Sequence, residues 1–160
     1  MPLVLKGNIK KVVTISSGMG DMELVRKYNI SEDGPYSISK AAVNMAVAKF
    51  SAEYAKDGVL FLSVSPGVVG TDVYADRKSS SLQQKAIRLH KLTERLVSEE
   101  DQQKLGIMSQ KFLEYSPDFK GPITPEESVK AVLNVVESSS VANGDGGAFL
   151  SHLGKNEKWI

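Results

Sequence analysis

Residues 35–67, "PYSISKAAVNMAVAKFSAEYAKDGVLFLSVSPG", run a helical pattern directly into a buried strand. Pro35 suits a first helical turn, and Gly58 is a stop signal. The alanines at 41, 42, 46, 48, 52 and 55 favour a helix and leave a surface that another layer can approach closely. "VLFLSVS" (59–65) is apolar on both alternating faces, as a strand inside a parallel sheet is, and Pro66-Gly67 ends it. Upstream, "KVVTISS" (11–17) has the same character, a β-branched run closed by two serines. Strand, helix and strand in that order, with a crossover this long, form a βαβ unit with parallel pairing. The reading is an α/β fold.

Outward from this unit the pattern changes. "GMGDMELVRKYNISEDG" (18–34) is glycine-bounded and charged, and reads as a loop. "SLQQKAIRLHKLTERLV" spaces Leu82, Ala86, Leu89, Leu92 and Leu96 by three and four, an amphipathic helix. Its surroundings are basic, with six Lys/Arg against two Asp/Glu between Asp76 and Arg95, which reads first as a solvated face. "EEDQQKLGIMSQKFLEYS" reads as a further helix weakened by Gly106. "TPEESVKAVLNVVESS" (124–139) opens with Thr124 as N-cap, Pro125 at N1 and Glu127 at N3, a capping box with a proline start. "GGAFLSHL" (146–153) reads as a short last strand. No internal repeat is visible.

Bulk properties exclude several classes. The chain has 160 residues, enough for one domain with a core, and a net charge of +1, which gives no bulk attraction to nucleic acid or membrane. It has no cysteine, so disulfides, thiolate metal sites and thiol catalysis are excluded. His90 and His152 are far apart and without metal-ligand spacing, so each reads as a packing or surface residue and no metal site is expected. "MPLVLKGNIKK" makes a poor signal peptide, and no apolar run reaches the length of a membrane span. The expectation is a cytoplasmic protein.

One site suggests itself. Ser17 ends the first strand, Tyr36 and Lys40 open the following helix, and "SPGVVGTD" (65–72) follows the next strand. Ligands of open parallel sheets bind outside the carboxyl ends of the strands, where these segments meet. A tyrosine hydroxyl titrates near pH 10 when unperturbed, too high for easy proton exchange at neutrality. A lysine one helical turn away favours its ionised form, and positions i and i+4 share a helix face. Ser17 is placed to hydrogen-bond a carbonyl or alcohol oxygen, Gly67 to let backbone approach a flat ring, and Thr71 to bond an amide or phosphate. The spacing alone is common: "YADRK" repeats it at Tyr74/Lys78 without any of this context.

With these segments in order, the sequence resembles the short-chain dehydrogenase/reductase family. "VVTISSGMG" is similar to its serine-bearing strand end, "YSISKAAVNM" to its Tyr-x-x-x-Lys helix, and "SVSPGVVGTDV" to its proline-glycine segment. "GPITPEESVKAVLNVVE" and "GGAFLSHLG" resemble the last helix and last strand. The resemblance runs from about residue 3 to residue 160. It implies the last three strands, with their helices, of a Rossmann-like doubly wound parallel sheet, in one domain over 1–160 with a helical substrate loop at 72–121. It implies oxidoreduction between a hydroxyl and a carbonyl of a small molecule, with NAD or NADP as cofactor. Tyr36 would be the acid/base and Lys40 would bind the nicotinamide ribose. Ser17 would orient the substrate oxygen, and Pro66, Gly67, Val69 and Thr71 would line the nicotinamide.

The resemblance also sets expectations about what the sequence lacks. It contains no Gly-x-x-x-Gly-x-Gly turn to seat a pyrophosphate on a helix N-terminus, and no Asn-Asn-Ala-Gly stretch. The cofactor-binding half is expected to be missing, so unaided cofactor binding is in doubt and the choice between NAD and NADP is not encoded here. "KVVTIS" is then expected to be an apolar strand edge, open to pairing or homo-oligomer formation. Two alternatives follow: a truncated, catalytically impaired homologue serving as a binding or interaction module or an incomplete gene product, and a scaffold kept for non-redox proton chemistry at Tyr36.

Overall fold

The computed structural model describes residues 1–70 and 99–160. Three parallel strands form one sheet, β1 (Lys11–Ile15), β2 (Leu60–Ser65) and β3 (Phe149–Ser151), in the spatial order β1-β2-β3. The register pairs Val13 with Leu62 and Val64 with Leu150. The helices are α1 (Pro2–Lys6), α2 (Met22–Lys27), α3 (Gly34–Glu53), α4 (Glu99–Tyr115) and α5 (Pro125–Ser138). Among the described residues this is the expected partial Rossmann-like arrangement.

Strand alternation divides the core into two layers. Leu62 and Val64 face α5 and pack with Val135 and Leu150, joined by Val13, Val132 and Val136. Val59 and Phe61 lie on the other side with Val47 of α3, joined by Val4, Leu5, Val12 and Tyr54. Phe50 and Tyr54 of α3 both set their rings 5.8 Å from that of Phe61. Helices therefore cover both faces of the sheet, and β2, between two neighbours, is buried at every position, as a central parallel strand must be. β1 differs. It pairs with β2 on one side only among the described residues, so its residues are half-buried and Ile15 is 50% exposed. The sequence pattern predicts burial on both faces; the edge position is what removes it, in line with the expected open edge.

Three boundaries differ from the sequence reading. The stretch 18–34 is more than a loop: a 3-10 turn (Gly18–Gly20) and α2 form within it, each started by a local cap. Ser17 Oγ accepts the Met19 N–H at 3.2 Å, and Asp21 Oδ1 accepts the Glu23 N–H at 2.8 Å. α3 ends at Glu53, and a separate 3-10 turn (Ala55–Asp57) leads to Gly58 at φ +68°. The last strand keeps only three of the eight residues read for it. α4 runs unbroken through Gly106, because one glycine in a helix costs about 1 kcal/mol and does not stop it. The capping box of α5 forms as read: Glu127 N–H donates to Thr124 Oγ1 at 3.1 Å, and Thr124 N–H donates to Glu127 Oε2 at 2.8 Å. The bond from the Thr124 amide holds the Glu127 carboxyl below its usual range. The amphipathic stretch 82–96, Tyr74/Lys78, His90 and most of the substrate loop lie outside the described residues.

Candidate active site

The carboxyl ends of β1 and β2 and the start of α3 share one edge of the sheet. The turn after β1 is drawn against α3 at Gly20, where a Cβ would stand 2.9 Å from the Ala41 nitrogen and the Lys40 carbonyl carbon. A second tie crosses from β2: Gly18 N–H donates to Ser65 Oγ at 3.1 Å, a buried bond. Ser17 is thereby held between the two strand ends. Its Oγ accepts from Met19 at the turn, and its own hydroxyl proton is a further donor.

Tyr36 and Lys40 lie one turn apart on α3. Lys40 Nζ stands 5.6 Å from the centre of the Tyr36 ring and donates to the Ile15 carbonyl at 3.2 Å. The lysine thus joins the tyrosine to the residue that precedes the serine pair at the end of β1. The Tyr36 side chain is half exposed, and so open to a reactant.

The proline-glycine segment is fixed from below. Ser128 Oγ, on buried Ser128 of α5, donates to the Pro66 carbonyl at 2.8 Å. Val69 forms a parallel bridge with Ile123, with Ile123 N–H donating to the Val68 carbonyl at 2.9 Å and Gly70 N–H to the Ile123 carbonyl at 3.0 Å. Gly67 has φ +81°, a left-handed conformation that favours glycine. A Cβ there would stand 2.7 Å from His152 Cε1. The space released by the missing side chain is therefore filled by His152, so glycine serves loop packing at this position. His152 is buried, and desolvation holds its imidazole below the usual value. Thr71 lies outside the described residues.

Sequence reasoning missed a group of residues on the other side of Ser17. Trp159 stacks on Phe149 with ring centres 4.2 Å apart, and its Nε1–H donates to Asp21 Oδ2 at 2.8 Å. Its backbone N–H donates to the Tyr115 hydroxyl oxygen at 2.9 Å. Burial pushes the Tyr115 hydroxyl above its ordinary value, so it stays protonated. A cavity opens here, lined by Ser17, Gly18, Met19, Leu24, Ser65, Gly67, Val68, Phe112, Tyr115, Trp159 and Ile160. The one available signal was that Trp159 is the single tryptophan of the chain. Among the described residues no cluster of metal-ligating side chains occurs, and no helix is long and apolar enough to cross a membrane.

Comparison with known proteins agrees with this architecture. The family model described as short chain dehydrogenase matches residues 1–81. A short chain dehydrogenase, virK, of Hypocrea virens is 47% identical over all of this chain and 51% of its own length. The short-chain dehydrogenase/reductase AacuF of Aspergillus aculeatus is 38% identical over all of this chain and 52% of its own. The chain thus spans about half the length of these curated relatives. The fold is similar to that of an NADPH-bound carbonyl reductase from chicken fatty liver, with a TM-score of 0.55 at 23% identity over 93% of this chain and 42% of that one. By the family match and the relatives together, the chain belongs to the short-chain dehydrogenase family.

Proposed function

We propose that the protein works as an NAD(P)-dependent oxidoreductase that interconverts a small-molecule hydroxyl and carbonyl at the edge formed by Ser17, Tyr36 and Lys40. The observation that carries this reading is the placement of Lys40, beside the Tyr36 ring and bonded to the end of β1. The donor set suits the nicotinamide riboside end of the cofactor. The Lys40 ammonium has three protons and spends one on Ile15, which leaves two for ribose hydroxyls. The 66–70 segment is a fixed ledge at the same edge, where Pro66, Gly67 and Val69 would meet the ring. When bound, the nicotinamide supplies or accepts the hydride at the reacting carbon.

This chain's own residues then handle the oxygen and the proton. In reduction, Ser17 donates a hydrogen bond to the carbonyl oxygen and orients it. Tyr36 gives its phenolic proton to that oxygen, and the positive charge of Lys40 steadies the negative charge left on the tyrosine. In oxidation the order reverses, and Tyr36 takes the alcohol proton. The relatives' names support the class of reaction, and the NADPH in the carbonyl reductase of similar fold supports the class of cofactor.

A second reading has its own support. Among the described residues β1 pairs along one edge only, and the sequence contains no glycine-rich pyrophosphate turn. On that reading the chain is a binding module without redox activity of its own. Calorimetric titration with NADH and NADPH separates the two. The oxidoreductase reading expects saturable binding of at least one; absence of binding to both would refute unaided activity and favour the module.

A further inference from the structure

We infer that Trp159 sets the size of the group that a substrate can place beside Ser17, and that the substrate is therefore a carbonyl or secondary alcohol with one small apolar arm. This rests on the oxidoreductase reading and adds the substrate class to it. The cavity next to Ser17 has walls of Met19, Leu24, Phe112, Tyr115 and Trp159, almost entirely apolar or aromatic. Its volume is about 40 Å³, room for roughly three waters. That space suits a methyl or ethyl group better than a ring.

Trp159 forms one wall of the cavity, and it is fixed from four directions. The indole is stacked on Phe149, bonded through Nε1–H to Asp21 and packed on Gly18, and its backbone N–H is bonded to Tyr115. Just before it, Ser151 Oγ holds the Lys158 carbonyl. A wall held this way discriminates by size, because a larger group must displace several contacts at once. Asp21 acts through the indole, and Tyr115 through the Trp159 backbone, as positioning residues.

Ligand-detected NMR titrations of the 160-residue chain with acetophenone and benzophenone test this. Acetophenone can turn its methyl toward Ser17; benzophenone has only rings to offer. The wild-type chain is expected to bind acetophenone at least tenfold more tightly. Trp159→Ala is expected to abolish that preference. Trp159→Phe, which keeps an aromatic ring for the stack on Phe149, is expected to reduce it to about threefold, and it carries the test if the alanine variant does not fold. Equal binding of the two ketones by wild type, binding of neither, or an unchanged preference in a variant with a native melt would each overturn the inference. The readout involves no hydride or proton transfer, so failure of the size preference and failure of the oxidoreductase reading are separate outcomes.

Discussion

The two sides of β1 are built differently. Its carboxyl end is stitched to everything around it: Ser17 to its turn, Gly18 to Ser65, the Ile15 carbonyl to Lys40. Its lateral edge pairs with no strand among the described residues, and apolar side chains stand open, Ile15 here and Ile38, Met45 and Phe50 on α3. The ties at the strand end run to β2, to α3 and within the turn itself, and none of them uses a strand on that lateral edge. The chain therefore keeps an ordered corner at Ser17, Tyr36 and Lys40, where we propose the proton transfer, beside an edge with less support.

Substitutions at the corner and in the core test that contrast first. Lys40→Met is expected to lower carbonyl turnover by about 100-fold, the usual loss when one stabilising donor is removed, while the melting temperature stays near that of wild type. A melt that collapses with the activity would break the contrast. In the central strand, Leu62 is completely buried, so Leu62→Ala is expected to cost about 2–5 kcal/mol in chemical denaturation. Ile15→Ala at the open edge should cost well under half of that, and equal costs would show that the edge is covered in solution.

Smaller effects sharpen the picture of the ledge. Gly67→Ala forces a left-handed residue against His152 and is expected to destabilise by about 1–3 kcal/mol. Thr124→Ala removes the α5 cap at about 1 kcal/mol. The smallest expected effect is a pH slope. Burial depresses the His152 pKa in the folded state, so the unfolded chain binds the proton first. The stability it contributes is complete above the ordinary histidine value of 6.5 and is lost as pH falls toward the depressed one. His152→Asn should flatten the melting temperature between pH 7 and pH 5; an unchanged slope would assign it to other groups.

Local chemistry was legible in the sequence, and distant contacts were not. The unbroken apolar run of β2 and the Thr124-Pro125-Glu127 signal of α5 depend on neighbours in the chain, and both read correctly. The 3-10 turn and α2 were read as loop because single side-chain caps at Ser17 and Asp21 start them, with no long apolar period to announce them. Ser17, Tyr36 and Lys40 are read as a set from their placement after strands, and the structure sets Lys40 beside the Tyr36 ring and on the Ile15 carbonyl. Trp159 was not legible, since its partner Asp21 lies 138 residues away and no local pattern links them. The same holds for Ser128 beneath Pro66 and His152 beneath Gly67.

Steady-state reduction of a methyl ketone by Tyr36→Phe, run beside wild type with NADPH and with NADH, tests the central claim most directly. Tyr36 is half exposed, so the variant should melt as wild type does. The account predicts measurable turnover by wild type and a loss of about 10²–10⁴-fold in the variant, the range for removing a general acid. Turnover retained within a few-fold by a natively folded Tyr36→Phe chain would contradict it.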